Sequence, residues 1–298
     1  MSLFAFIGGI EAGLIYAFVA LAVYLSFRIL DFPDLTVDGS FPLGAAVTAT
    51  LISISGWNPW LATLMGMFAG SLGGLATAYF SVRWGILHLL ASILTMTALY
   101  SINIRVMQGA ATMGLLNDET ILTPFIHLAN SAGLPEMYTR PIVLAAFVIA
   151  AFVILSWFLN SELGLSMRAT GANIRMSRAQ GINTSRQVII GMMISNALVG
   201  LGGSIYAQAN GSADASLGTG TIVVGLAAVI ISETLIPSRK IWVRLLACIV
   251  GAIVYRMVIQ LAMDVDFLGF KASDLNLVTA LIVLIALVVP KLKKKVFA

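Results

Sequence analysis

Residues 31–40 read Asp31-Phe32-Pro33-Asp34-Leu35-Thr36-Val37-Asp38-Gly39-Ser40, a polar interruption between the apolar runs 3–27 and 41–55. A second interruption, Asn210-Gly211-Ser212-Ala213-Asp214-Ala215-Ser216-Leu217-Gly218-Thr219-Gly220, precedes the apolar run 221–236. Pro and Gly disfavour continuous helix at such places. In a lipid-embedded chain the freed N–H and C=O groups then need protein or water as partners. These stretches are read as breaks in helices that lead into two short spans; ordinary connecting loops are the alternative.

The surroundings of the breaks decide the solvent. Of 298 residues, 59% are hydrophobic and 10% charged, where a soluble domain carries about 25% charged residues. So few charges cannot cover so much apolar surface in water, so the chain is expected in a bilayer. The net charge of +4 does not suggest nucleic acid, because the basic residues sit in short loops between apolar runs. Met1 to Gly13 carries no basic start and no cleavage pattern, so the first run is expected to remain in the mature protein. The one cysteine, Cys248, lies in an apolar run and reads as a small core residue.

Nine apolar runs are present: about 3–27, 41–55, 59–80, 84–108, 141–160, 187–206, 221–236, 241–263 and 275–290. They predict an all-α, polytopic membrane protein of about nine spans. Placing the loop after the fifth run in the cytoplasm puts 13 Lys and Arg inside, with Arg105, Arg140 and Lys271 outside. That bias predicts an outer N-terminus and a cytoplasmic C-terminus. The outer loop Gly109 to Tyr138 is expected to hold a helix on the membrane surface, and the inner loop 161–186 is basic and expected to be helical.

A shift of 181 residues lays the first four runs on the last four and leaves the fifth as a connector. It places Gly39 on Gly220, Gly44 on Gly225, Ala46 on Ala227 and Gly70 on Gly251. Four spans, one connector and four spans require opposite orientations of the two halves. The expected organisation is a single domain over 1–298. It comprises a first repeat 1–108, a connector helix 141–160, the inner loop 161–186 and an inverted second repeat 187–290. Inverted repeats belong to transporters, and short spans at matched positions point to the transport path. The short spans here are 41–55 and 221–236.

Few residues carry chemistry. Gly66, Gly70 and Gly74 recur every fourth position and suit close helix packing, within the chain or against another copy. Arg256 lies inside a span, where a charge is costly; Asp264 and Asp266 are its expected partners. Glu11 and Glu233 lie near span ends. Asn103 and Asn196 are placed to bond between helices or to line a polar path. His88 and His127 have no accompanying carboxylate or cysteine cluster, so no metal site is expected. There is no phosphate-binding Gly-x-x-x-x-Gly-Lys pattern, no Gly-x-Ser-x-Gly elbow and no His-Glu-x-x-His helix.

The inner loop continues Gly164-Leu165-Ser166-Met167-Arg168-Ala169-Thr170-Gly171-Ala172-Asn173 and reaches Arg178-Ala179-Gln180-Gly181-Ile182. By composition it is a basic amphipathic segment punctuated by Gly, suited equally to a membrane surface or to another protein. Its pattern of Gly164, Arg168-Ala169, Gly171, Asn173, Ala179 and Gly181-Ile182 resembles the coupling segment of permeases of ATP-binding-cassette (ABC) importers. It is similar in particular to the branched-chain amino acid and ribose permease family. Gly39-Ser40-Phe41-Pro42-Leu43-Gly44-Ala45 and Gly225-Leu226-Ala227-Ala228-Val229-Ile230-Ile231 resemble the two matched helix regions of that family. Asp34 to Ser40 and Asn103-Ile104-Arg105-Val106-Met107 look like a short subgroup, some members of which are linked to tryptophan or related amino acids. One departure is Ser232-Glu233 where the family often has Gly-Gly; Arg239 is a neighbouring base for that glutamate.

The resemblance implies a type II-like importer permease in a bacterial inner membrane, not itself an enzyme, conducting a small solute such as an amino acid. Its implied partners are two ATPase subunits that hold ATP and Mg, an extracytoplasmic binding protein and a second permease copy, as well as membrane lipid. It implies no cofactor in this chain and no nucleic acid. The ATPase-coupling residues would be Gly164, Arg168, Ala169, Gly171, Asn173, Arg178 and Gly181. The path would use Asp38, Ser40, Asn103 and Asn196, and Leu115 to Ile126 would receive the binding protein. A secondary transporter shares the repeat and the breaks, but would need an ion-coupling carboxylate near the midplane. A membrane-embedded enzyme would act without partners, and a scaffold would have no use for polar breaks.

Overall fold

The computed structural model describes residues 3–264 apart from 116, 117, 132 and 134. The ninth apolar run, about 275–290, and Asp266 lie outside the described residues. Among the described residues, six helices are long and apolar enough to cross a membrane: Ala5–Ile29, Pro59–Trp84, His88–Val106, Met137–Asn160, Thr184–Asn210 and Ile241–Leu261.

The element order begins with α1 (Leu3–Val23), which continues as a π-helical segment Tyr24–Ile29, then α2 (Val37–Ser53), α3 (Pro59–Trp84) and α4 (His88–Val106). A short strand β1 (Thr112–Gly114) and α5 (Thr123–Ser131) lead into α6 (Glu136–Asn160). Then come α7 (Glu162–Ala172), α8 (Ile174–Ala179), α9 (Thr184–Asn210), β2 (Ser212–Asp214), α10 (Thr221–Leu235) and α11 (Ile241–Asp264). β1 and β2 pair antiparallel, Met113 opposite Ala213. Partial burial pushes the Asp214 carboxyl up, but hydrogen bonds from Ser216 and Thr112 outweigh it and hold the group below the usual carboxylate range.

The middle of α1 is apolar on every side, which suits a helix with no solvent-facing surface. Phe18 to Leu25 are all buried, and α1 packs against α6, α9, α10 and α11. By contrast α3, α4 and α6 keep large apolar side chains outside, among them Leu64, Phe68, Leu90, Leu94, Ile149, Val153 and Trp157. In water such surfaces would drive aggregation; in hydrocarbon they are the expected exterior.

The Gly66, Gly70 and Gly74 stripe packs within the chain. A methyl group at Gly66 would collide with Thr48 and Ser204, one at Gly70 with the Asn196 carbonyl, and one at Gly74 with the Met192 carbonyl. Gly44 of α2 meets the Gly200 carbonyl of α9 as closely. The three helices therefore approach backbone to backbone, with Ser204 donating to Gly44 O at 3.2 Å.

Several expectations are corrected by this arrangement. The second helix begins at Val37, not at residue 41, because Asp38 in its first turn favours a helix N-terminus; Asp38, Gly39 and Ser40 are helical. Glu233 forms its ion pair with Arg28, at the end of the first span, and not with Arg239. Arg256 lies over the ring of Tyr16, 3.7 Å from its centroid; its expected pairing with Asp264 or Asp266 is not corrected by this, since the Asp264 side chain and Asp266 lie outside what the structure describes. The loop after α4 does hold a helix, α5, but Leu115, Ile121 and Leu122 are buried and Ile121 N donates to Gln208 at 2.9 Å. That part of the loop is packed into the body, leaving α5 with Leu128 exposed.

Gly70→Leu should destabilise the protein by about 1–3 kcal/mol or more through overpacking, seen as a lower melting temperature in detergent. Leu94→Ala on the outer face of α4 should change it little; an equal effect of the two would contradict this packing.

Candidate functional site

The two short helices, α2 and α10, meet at their N-termini. Asp38 stands in the first turn of α2, and its carboxylate accepts from Ile222 N at 2.7 Å and from Gly220 N at 3.4 Å. The first N–H groups of any helix lack intrahelical partners. Here one helix supplies the anion that caps the other, and the anion also suits the positive end of each helix dipole. Gly220 holds φ +83 at the turn into α10, a conformation that favours glycine. Pro42 has no N–H to offer the Asp38 carbonyl one turn back, and Gly218 packs directly against that carbonyl.

A second buried layer lies behind this junction. Asp34 accepts from Thr36 N at 2.9 Å and from Asn196 Nδ2 at 2.7 Å. Asn196 also donates to Met192 O at 3.1 Å, and Thr36 bonds Thr77 at 2.6 Å. The broken stretch 31–36 is thus held by side chains of α3 and α9.

In front of the junction is a cavity of about 240 Å³ lined by Asp38, Gly39, Pro42, Met96, Thr97, Tyr100, Asn103, Ala215 and Thr219. Asn103 Nδ2 donates to Gly39 O at 3.3 Å, while its Oδ1 is buried without a hydrogen-bond partner. Of the four residues expected to form a path, Asp38 and Asn103 come together here. Ser40 is fully buried beside Gly73 with its hydroxyl unpartnered, and Asn196 belongs to the layer behind; neither lines the cavity. Met96, Thr97, Tyr100 and Thr219 were not singled out from the sequence. The spacing of Met96, Tyr100 and Asn103 on one helical face was the available signal.

Away from this junction, the segment after α6 folds as two helices, α7 and α8. Ser161 caps α7, and Asn173 caps α8 by accepting from Arg175 N at 3.1 Å and Met176 N at 3.0 Å. Asn173, not Gly171, makes the break. Gly171 lies inside α7, where a methyl group would strike the Ile29 carbonyl, and Gly164 fits as tightly against Phe158 and Leu159. Arg178 Nε donates to Thr184 at 2.9 Å, closing α8 onto the start of α9. Gly181 takes φ +82 in the connecting turn. Arg168 and Ala169 are partly buried, while Asn173, Arg178 and Gly181 are exposed. Ile174 and Met176 are also exposed, so α8 presents apolar and basic side chains outward.

A helical body with six candidate membrane spans among the described residues, and two short helices meeting at their N-termini inside it, suit a membrane permease. The chain belongs to the family described as the permease component of branched-chain amino acid transport systems, which it matches over residues 6–288. It is 39% identical over 272 residues, 91% of this chain and 86% of the relative, to the tyrosine transport system permease protein of Clostridioides difficile. It is 23% identical to the ribose import permease of Escherichia coli, over 88% of this chain and 78% of that protein. It is also 26% identical to the guanosine ABC transporter permease of Bacillus subtilis, over 50% and 49% of the two chains. The chain is a permease subunit of an ABC importer, and not an enzyme.

Replacing Asp38 by Ala should strand two N–H groups and cost about 1–3 kcal/mol for each left unsatisfied, read as a fall in melting temperature. Asp38→Asn retains an acceptor oxygen and should lose less; identical losses would argue against the cap.

Proposed function

We propose that this permease conducts an amino acid through the cavity at Asp38 and Asn103. One observation carries the reading: the polar wall is rich in acceptors. The Asp38 carboxylate keeps lone pairs beyond the two it commits to α10, and Asn103 Oδ1 has no partner. An α-ammonium group is matched to such a wall, whereas ribose and guanosine bring no cation. Met96, Tyr100 and Pro42 form an apolar side suited to the rest of the solute. The similarity to a permease named for tyrosine points the same way.

The chain works as one of a pair of identical copies, with a binding protein outside and ATPase chains holding ATP and Mg inside. The cavity opens beside the outer face of α4, where Leu90, Leu94 and Tyr100 are uncovered. A second copy covering that face would close a path between the two. Thirteen inner against three outer basic residues support an outer N-terminus and a cytoplasmic C-terminus. The coupling surface is then the exposed α8 with Arg178, Ile174 and Met176, seated on the body through Gly164, Arg168, Ala169 and Gly171 and turned by Asn173 and Gly181. Binding-protein contact falls to α5 and its exposed Leu128.

Nine spans in an inverted repeat account for the packing. Under the 181-residue shift, Gly39 corresponds to Gly220, and the residue beside Gly39 bonds Gly220 N. Residues near a two-fold axis lie next to their own counterparts. Gly44 packs on Gly200, and its counterpart Gly225 packs on Val19, the counterpart of Gly200. Likewise α2 packs on α3 and α9, and α10 packs on α11 and α1.

In proteoliposomes holding the complete transporter, labelled tyrosine should be taken up with ATP, and ribose and guanosine should not. Asn103→Leu should lower tyrosine uptake by about tenfold, the effect of removing one buried polar contact. Uptake of ribose or guanosine without tyrosine would refute the amino acid reading. Gly171→Leu, which displaces α7, should leave tyrosine capture by the binding protein intact but abolish its stimulation of ATP hydrolysis; unchanged stimulation would refute the coupling surface.

A further inference from the structure

A different cavity, of about 420 Å³, lies where α10 ends and α11 begins. Tyr24, Ser232, Glu233, Arg239 and Arg244 supply its polar lining. Its charges are unequal. Glu233 is taken by Arg28. Arg239 and Arg244 have no carboxylate partner among the described residues; Arg244 donates its Nε to Ser238 O at 2.6 Å and lies beside the Tyr24 hydroxyl. Tyr24 is 1% exposed, and its hydroxyl stands beside Arg244, a group that only donates, so its proton has no acceptor. The wall therefore offers two guanidinium groups and a phenol donor, and its one carboxylate is already neutralised. A group that only accepts and carries negative charge fits it, and phosphate is the group that guanidinium forks match.

The position selects the source of the phosphate. Leu235 and Ile236 are exposed at the end of α10, and Trp242 is exposed at the start of α11, which continues as a membrane-crossing helix. Exposed Trp beside basic side chains marks the boundary between hydrocarbon and headgroups. Basic pockets between helices at that level receive lipid phosphates. We propose that this cavity binds the headgroup phosphate of an anionic phospholipid, with Arg239 and Arg244 as its cationic donors and the Tyr24 hydroxyl as a neutral one. The level in the membrane is what the inference uses. It depends neither on the solute nor on which end of the chain is cytoplasmic.

The test is native mass spectrometry of the full chain in mild detergent, offered phosphatidylglycerol or phosphatidylcholine. The wild type should retain phosphatidylglycerol preferentially. The R239Q/R244Q pair should retain it about tenfold less or worse, and R239K/R244K, which keeps charge but loses the fork, should fall between. Arg83→Gln, on the last turn of α3 outside this cavity, should behave as wild type. Millimolar inorganic phosphate should not displace the lipid; displacement would make free phosphate the occupant and overturn the lipid assignment. Equal retention of both lipids, or full retention by R239Q/R244Q, would overturn the site. If that pair keeps lipid but no longer captures the ATPase chains, the arginines serve a protein contact and the proposal fails.

Discussion

The arrangement rests on how the start of α10 is satisfied inside an apolar medium. A helix N-terminus in water can leave its first N–H groups to the solvent. In hydrocarbon each such group must find a protein acceptor. Asp38 provides two acceptor oxygens from the first turn of α2, and a charged acceptor gives bonds roughly twice as strong as a neutral one. Much of the local sequence follows. Gly218 allows the chain to pass against the Asp38 carbonyl, Gly220 turns it, and Pro42 sits where a missing N–H opens the α2 backbone to that approach. The cavity exists because two helices end there in place of one continuing.

That junction needs a rigid backing, and small residues provide it. Lipid supplies no hydrophobic drive between helices, so close packing and buried hydrogen bonds must hold them. The stripe Gly66, Gly70 and Gly74 brings α3 onto α9, and Gly44 and Gly200 bring α2 onto the same helix. The approach also carries the polar layer of Asp34, Asn196, Thr36 and Thr77. A carboxylate this deeply buried is costly unless hydrogen-bonded, and here Thr36 N and Asn196 Nδ2 donate to its two oxygens. The layer therefore fixes the break at 31–36 and leaves Asp38 free to face the cavity.

The long apolar helices were legible because span length is a property of consecutive residues, and the breaks were legible because Pro and Gly act locally. The start of α2 was not, because Val37 to Ser40 reads as polar loop until Asp38 is seen capping another helix 182 residues away. The same blindness hid the Arg28 partner of Glu233, whereas Arg239 was merely near in sequence. Gly171 was read as punctuation; its cause is the Ile29 carbonyl pressed against it, which no local pattern shows. Asp38 and Asn103 were found as polar residues in apolar surroundings. Met96 and Tyr100 were missed because apolar side chains lining a cavity look like any others facing lipid.

Besides its packing on α1, α10 makes polar contacts with the first half of the chain at both of its ends, and these differ in kind. At its start, Asp38 is partly buried and accepts from Ile222 N at 2.7 Å. Near its end, Glu233 meets Arg28 with side chains 39% and 49% exposed. An ion pair that open to water contributes about 0–1 kcal/mol, while stranding the N–H groups at the other end costs about 1–3 kcal/mol for each group left unsatisfied. Rotation of α10 is therefore easier about its N-terminus than about its C-terminus. A motion that changes access to the cavity while sparing the costlier bonds would release Glu233 from Arg28 and swing the 236–240 turn, keeping Asp38 in place as the pivot.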